Sequence, residues 1–236
     1  MTRRRWIADR VCGDRATLIG PHAAHLVRVL RARLGQKFDI STGSAVRRGE
    51  IVSISQDRVE FELAEELPIL AATQVTLLLA IFKFDRLEWA IEKCTELGVA
   101  RIVPVIAQRT QARLETSAER RVERWRRIAL EASEQSRRAA PAEVSPPIKL
   151  QDAVTLSAEL LLVLSEVESE KSLKQVLQEN QQSASIALAV GPEGGWTPGE
   201  EELFRRSGWT PTSFGPTILR AETAAIAAVA VVMTEM

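Results

Sequence analysis

The stretch that decides the fold is Ile186-Ala-Leu-Ala-Val-Gly-Pro-Glu-Gly-Gly-Trp-Thr-Pro-Gly-Glu200. Its first five residues are apolar and predict a buried strand, and a glycine-rich loop follows them. Thr197 is a good helix N-cap, Pro198 suits the first helical position, and Glu200 completes a capping box. The pattern therefore predicts strand, loop and helix, with the loop at the carboxyl end of the strand, where open α/β sheets bind their ligands.

The residues of the loop restrict which ligand it can hold. A phosphate-binding loop would end in GK[ST] or carry G-x-G-x-x-G, and neither spacing is present. Glu193 in the loop and Glu200–Glu202 in the first helical turn would repel a phosphate chain. A positively charged nucleoside without phosphates, such as S-adenosylmethionine, suits the loop better. The simpler alternative is a well-capped strand–helix turn that binds nothing.

A second segment of the same kind is Thr212–Ala225. A short strand ends there in Gly-Pro, and a helix of small residues follows. Arg220 and Glu222 flank the start of this helix, where polar groups can point into a cleft. An equally acceptable interpretation is a buried terminal helix with one capping ion pair.

The rest of the chain divides near residue 70. Apolar runs at Val75–Phe82, Ile102–Ile106 and Leu160–Leu164 alternate with helical patterns, which is typical of an α/β domain with a mainly parallel sheet. The first 70 residues instead show short alternating strands, glycine turns and one helix, which together predict a small β-barrel. Glu65–Pro68 is the predicted linker.

Charge is distributed unevenly, although the formal net charge is zero. The net charge is +8 over residues 1–48 and +5 over residues 101–138. It is −6 over residues 49–100 and −7 over residues 139–236. Such asymmetry favours a face for a polyanion such as RNA, and the alternative is a set of solvated surfaces. The predicted RNA-binding residues are Arg3, Arg4, Arg5, His25, Arg28, Arg31, Arg109, Arg137 and Arg138.

Histidine and cysteine give little support for other chemistry. His22 and His25 are the only histidines, so a metal site is not expected. Cys12 and Cys94 lie far apart in sequence, which favours a reduced, cytoplasmic setting, and no segment is long and apolar enough to predict a membrane span.

Several motifs in order along the chain resemble one family. They are Arg4-Arg-Trp6, His25-Leu-Val-Arg-Val-Leu-Arg31, Lys83, Lys93-Cys-Thr-Glu-Leu-Gly-Val99, Gln108-Arg-Thr110, Arg124-Trp-Arg-Arg-Ile-Ala-Leu-Glu-Ala-Ser-Glu-Gln-Ser136 and the two loops. Together they are similar to the RsmE family, the bacterial 16S ribosomal RNA uridine-N3 methyltransferases of the SPOUT, or α/β-knot, superfamily.

This resemblance implies an α/β fold in two parts. Residues 1–70 would form a small PUA-like β-barrel that binds RNA, and residues 73–236 a SPOUT methyltransferase domain with a deep trefoil knot and a mainly parallel sheet. It also implies a homodimer and an S-adenosylmethionine site. The expected cofactor-binding residues are Leu164, Ser165, Val190, Gly191, Pro192, Glu193, Gly194, Gly195, Phe214, Gly215, Ile218, Leu219, Thr223 and Ala224.

The function that the resemblance implies is methylation of N3 of one uridine in 16S rRNA of the small ribosomal subunit. We expect Arg220 and Glu222 to be catalytic, Arg220 by stabilising charge on the uracil carbonyls and Glu222 by orienting it or accepting the proton. The alternatives are a SPOUT enzyme that methylates the ribose 2′-oxygen and a non-catalytic rRNA-binding assembly factor. The chain departs from the family pattern at Thr217, where Arg is usual, and at Ala221, where Thr is usual.

Overall fold

The computed structural model describes residues 5–43, 45–68, 74–168, 170–215 and 217–236. It divides into two compact units. The first contains Met1–Ala71 and Ser133–Pro141, and the second contains Ala72–Ala132 and Ala142–Met236. The sequence-based boundaries differ from this division in two respects. They assign the whole of 133–141 to the second part, and they predict a linker at Glu65–Pro68, where the structure continues a strand to Leu67.

The first unit is built on a curled mixed sheet, a half-barrel. Its six strands, in the order β1-β4-β5-β6-β3-β2, are antiparallel except for the β1–β4 pair. The strand bounds are β1 Arg5–Ile7, β2 Arg10–Cys12, β3 Arg15–Ile19, β4 Lys37–Ser41, β5 Val46–Ile54 and β6 Arg58–Leu67. Trp6, Leu18, Leu26, Ile40 and Phe61 are fully or almost fully buried in its core.

One helical segment interrupts the strands of this unit. The α-helix α1, Pro21–Ala24, continues as a π-helical turn over His25–Val29. In that turn the Leu30 amide donates to the His25 carbonyl oxygen at 3.1 Å, five residues back. The one helix predicted within the first 70 residues is therefore present, and its second half is wider than an α-helix.

The second unit contains a seven-stranded sheet in which every pair is parallel. Its strand order is β10-β8-β7-β12-β11-β13, with β9 paired to β8. The strand bounds are β7 Gln74–Ala80, β8 Arg101–Ile106, β9 Glu143–Val144, β10 Ile148–Lys149, β11 Leu160–Leu164, β12 Ser185–Val190 and β13 Thr210–Thr212. The parallel α/β sheet expected from the apolar runs is confirmed.

Helices cover both faces of this sheet. Their bounds are α2 Phe84–Leu97, α3 Ala112–Ala118, a 3₁₀ turn Glu119–Arg121, α4 Val122–Gln135, α5 Leu150–Ala153, α6 Leu173–Glu179, α7 Pro198–Arg206 and α8 Ala221–Glu235. Alternate residues of β7 enter different cores: Leu77 and Leu79 pack with α2 and α8, whereas Leu78 and Ala80 pack with Trp196 and Phe204. Burial on both faces explains why the strands read as continuous apolar runs.

Two sequence-based expectations need detail from the structure. The helical pattern between the second and third apolar runs spans residues 118–138 and predicts one helix there, but in the structure Ala118 ends α3, a 3₁₀ turn follows, and α4 ends at Gln135. Within the described residues, no helix combines the length and apolar character that crossing a membrane demands.

Candidate functional site

A cavity of about 340 Å³ lies in the second unit, where three neighbouring parallel strands end. Leu164 and Val190 are the last residues of β11 and β12, and Ser165, Gly191 and Ser213 directly follow β11, β12 and β13. Ligand pockets of proteins typically measure about 300–1,000 Å³ and, in open α/β sheets, lie outside the carboxyl ends of the strands. The cavity therefore has the size and the place of a small-molecule site.

Three segments that are distant in sequence form its walls. Those that the sequence predicted as cofactor-binding are Leu164, Ser165, Val190, Gly191, Pro192, Gly194, Gly195, Phe214, Gly215, Ile218, Leu219 and Ala224. Predicted Glu193 and Thr223 do not line the cavity, and both side chains are exposed. Pro216, within the second predicted loop, lies outside the described residues.

The first loop has a backbone conformation that requires glycine. Gly195 has φ +67°, in the left-handed region, and its amide donates to the Pro192 carbonyl oxygen at 2.8 Å. This turn is held by Trp196, whose indole N–H donates to the Leu164 carbonyl oxygen at 3.2 Å. The indole is almost fully buried and meets the Phe204 ring edge-on, 4.9 Å between ring centroids. The aromatic anchor and the turn together fix the loop against the sheet.

The predicted capping box is present where the loop enters α7. The Glu200 amide donates to the Thr197 hydroxyl, and the Thr197 amide donates to Glu200 Oε2 at 2.8 Å. Glu200 is buried, and its other carboxylate oxygen accepts the Gln108 amide at 2.7 Å. The carboxylate therefore joins the loop to the segment that follows β8.

Carboxylates dominate the charge of the cavity wall. Glu166, Glu168 and Glu201 line it, and Arg109 supplies the one guanidinium among the described wall residues. The Ser165 hydroxyl donates to Glu201 Oε1 at 2.9 Å. The sequence-based prediction missed Glu166–Glu168 as wall residues, although their place directly after the predicted strand end at Leu164 and Ser165 was an available signal. An acidic wall suits a ligand with net positive charge and opposes a phosphate chain.

The two predicted catalytic residues lie beside the cavity and do not line it. Arg220 is exposed at the N-cap of α8, directly before the wall residue Ala221. Glu222 is 5% exposed, and its Oε1 lies 3.4 Å from Nη1 of Arg86 on α2. Its Oε2 has no hydrogen-bond partner among the described residues. The ion pair of Glu222 therefore reaches across to α2, and it differs from the capping pair at the start of the helix that the sequence offered as an alternative.

The predicted RNA-binding residues fall into two groups. Arg109 belongs to the second unit, where it donates to the carbonyl oxygens of Gly194 and Trp196. Arg5, His25, Arg28, Arg31, Arg137 and Arg138 belong to the first unit, and Arg3 and Arg4 lie outside the described residues.

The first-unit residues differ in exposure. Arg28 and Arg31 are exposed, and Arg31 has φ +50°, an uncommon conformation for a residue with a side chain. Arg5 donates from its guanidinium to the Arg137 carbonyl oxygen. Desolvation by burial lowers the pKa of Arg138 below its ordinary value. The side chains most accessible to a polyanion are therefore Arg28, within the π-helical turn, and Arg31, just after it.

No other chemistry stands out in the described part of the chain. No three His, Cys, Asp or Glu side chains come together there as metal ligands would. Burial raises the pKa of the Cys94 thiol far above its ordinary range, so this sulfur is not an activated nucleophile.

Known proteins share both the sequence and the fold. The family described as "RNA methyltransferase domain" matches residues 70–233. A ribosomal RNA small subunit methyltransferase E of Rickettsia conorii is 34% identical, over 96% of this chain and 93% of the relative. The protein of the same name from Synechocystis is 34% identical, over 94% of this chain and 74% of the relative.

Solved structures agree with these relatives. The crystal structure of a ribosomal RNA small subunit methyltransferase E from Neisseria gonorrhoeae, bound to S-adenosyl methionine, is similar with a TM-score of 0.85 at 29% identity. The similarity covers 99% of this chain and 98% of that chain. The parallel sheet, the cavity at its carboxyl edge and these matches define an RNA methyltransferase of the SPOUT type. More narrowly, the chain belongs to the ribosomal RNA small subunit methyltransferase E family, the RsmE family.

Proposed function

We propose that this protein transfers a methyl group from S-adenosylmethionine to N3 of one uridine in the 16S rRNA of the small ribosomal subunit. The observation that carries the proposal is the cavity that joins the ends of β11, β12 and β13. Both loops that the resemblance assigned to the cofactor meet in that cavity, although they lie some twenty residues apart in sequence. The names of the relatives support the rRNA substrate.

The cavity wall fits the proposed methyl donor. S-adenosylmethionine carries one net positive charge, from its sulfonium, ammonium and carboxylate groups, and it has no phosphate. Three carboxylates against one guanidinium give the wall the complementary sign. When bound, the donor supplies an electrophilic methyl group on its sulfonium. We assign its binding to the residues predicted from the sequence, with Glu193 and Thr223 the least supported because their side chains are exposed outside the cavity.

For this reaction the protein must hold the uracil base so that N3 faces the methyl group, and it must remove the N3 proton or accept a hydrogen bond from it. Uridine N3 is a weak acid that faces its pairing partner in a helix, so the base must be unpaired and turned toward the protein. Most of the acceleration would come from orientation, with proton removal assisting. Arg220 is exposed next to the cavity and would stabilise negative charge on the uracil carbonyls. Glu222 would orient Arg220 or accept the proton, which requires its carboxylate to loosen its pairing with Arg86.

RNA would be held by the arginines of the first unit and by the exposed part of Arg109. Contacts of this kind with phosphates are salt-dependent and fix the position of the RNA without reading its sequence. The trefoil knot, the homodimer and a cytoplasmic setting belong to the same proposal and rest on the resemblance. In a homodimer, the small residues of α8 would allow close packing across an isologous contact.

The deciding experiment is methylation of small-subunit RNA from a strain that lacks the enzyme. Free 16S rRNA and assembled small subunits are incubated separately with protein and labelled donor, and the product nucleoside is analysed by mass spectrometry. The proposal expects base-methylated uridine at a single mapped nucleotide. Methylation of the ribose would identify a 2′-O enzyme instead. Calorimetric titration with S-adenosylmethionine that gave no heat would indicate a non-catalytic RNA-binding protein.

A further inference from the structure

The segment that follows β8 holds the first loop of the cavity through Arg109, which is itself a wall residue. Arg109 donates from Nη1 to the carbonyl oxygen of Gly194, and the same nitrogen lies 3.4 Å from the carbonyl oxygen of Trp196. Its Cδ would lie 3.1 Å from a Cβ at position 194. The side chain thus packs directly on a loop residue that has no side chain of its own.

The neighbours of Arg109 are themselves fixed to the rest of the unit. The Gln108 amide donates to the buried Glu200 carboxylate, and its side-chain oxygen accepts the Thr197 hydroxyl at 2.8 Å. On the other side, the Thr110 hydroxyl donates to the Ile81 carbonyl oxygen at 3.2 Å. Gln108–Thr110 is therefore a rigid support from which the guanidinium reaches the loop.

We infer that Arg109 is a positioning residue for the methyl-donor loop, an inference that rests on the proposed function. Gly194 and Gly195 give the loop a large conformational freedom, which binding would have to remove. A planar guanidinium that bonds two carbonyl oxygens removes much of that freedom before the donor arrives. This role differs from the RNA contact that the charge pattern predicts for the same residue.

The charges of the cavity wall make it possible to distinguish an effect of the Arg109 charge from positioning of the loop, because the two change donor affinity in opposite directions. Arg109 is a cation beside Glu166, Glu168 and Glu201. If it acted only through its charge, its removal would strengthen binding of the cationic donor. If it positions the loop, its removal weakens binding. The demethylated product, S-adenosylhomocysteine, has no net charge, so loss of positioning weakens both ligands whereas loss of charge affects only the donor.

The test compares Arg109→Ala and Arg109→Lys with the wild-type chain. Arg113→Ala is the matched control, because Arg113 is an exposed arginine nearby whose side chain donates to Gln111 Oε1 at 3.2 Å. We expect R109A to bind both S-adenosylmethionine and S-adenosylhomocysteine about tenfold more weakly by calorimetry. R109K should lose about threefold, because the lysine side chain is shorter and its ammonium cannot reach the position of Nη1, which makes both contacts. R113A should match the wild type.

A second measurement does not depend on any ligand. Amide hydrogen exchange in the free protein should speed up at Gly195 and Thr197 in R109A and stay unchanged in R113A. In turnover at saturating RNA, R109A should raise the KM for the donor by a larger factor than it lowers kcat, whereas R113A should change neither. Equal or tighter donor binding by R109A, or unchanged exchange, overturns the inference. If the wild-type protein binds no donor but R109A still exchanges faster than the wild type at Gly195 and Thr197, the proposed function is refuted. The conclusion that Arg109 supports the loop then still holds.

Discussion

Substituting Gly195 by alanine should damage the cavity through the backbone alone. Gly195 has φ +67°, and a residue with a Cβ pays about 1–2 kcal/mol in the left-handed region. The added Cβ would lie 3.5 Å from the Glu166 carboxylate, which is ordinary van der Waals contact. No steric clash therefore contributes, and the whole effect should come from the φ angle.

That strain can be released in two ways, and both are measurable. If the loop keeps its conformation, the free energy of unfolding falls by about 1 kcal/mol, which lowers Tm by about 2–4 °C in a chain of this size. If the loop relaxes instead, stability recovers and affinity for S-adenosylmethionine falls, by about tenfold for each 1.4 kcal/mol. Thermal unfolding and calorimetric titration of the same preparation measure the two outcomes.

Gly199→Ala is the matched control for this prediction. Gly199 lies in the first turn of α7, and a Cβ there would meet nothing within 4 Å. Alanine favours the helix by up to about 1 kcal/mol, so Tm should hold or rise and donor affinity should not change. If G195A matched the wild type in both Tm and affinity, the conformational requirement at position 195 would be wrong.

Three further predictions concern other parts of the chain. Glu222→Gln should lower turnover by about 10²–10⁴-fold if the carboxylate accepts the N3 proton, and an unchanged pH–rate profile would exclude it as the base. Because burial raises the pKa of Cys94 and Cys12 is exposed, iodoacetamide at pH 8 should label Cys12 alone in the native protein and both thiols in denaturant, as mass spectrometry would show. Arg28→Ala should weaken RNA binding and reduce the salt slope of its affinity by about one unit, and an unaltered slope in filter binding would remove Arg28 from the RNA face.

Local chemistry explains what could be predicted from the sequence. The strand, the loop and the capping box of 186–200 depend on neighbouring residues, so the residue types alone specify them. The apolar runs likewise predicted the parallel sheet, because strands buried on both faces have no polar side. By contrast, the apolar spacing through Ala118, Val122 and Trp125 continues across the 3₁₀ turn, so it carried no signal that the helix is interrupted there.

Contacts between distant segments could not be predicted in the same way. Charge pattern suggested RNA for Arg109, but its bond to Gly194 joins residues 85 positions apart. The capping role of the Glu200 carboxylate could be predicted from neighbouring residues. Its second partner, the Gln108 backbone amide, could not, because only the tertiary fold brings it close. Glu222 also illustrates this limit, since both a cleft and an ion pair agreed with the sequence and only the tertiary fold brings Arg86 to it.

The assignment of Ser133–Pro141 to the first unit has a consequence for modularity. The chain changes unit three times, near residues 71, 132 and 141, so no single cut separates the units. A truncated protein that starts near residue 72 would still contain these nine residues but would lack the rest of the first unit, against which they pack. Recombination that exchanged only the N-terminal part for another RNA-binding module would meet the same mismatch. A design that exchanges the N-terminal part should therefore exchange Ser133–Pro141 together with it.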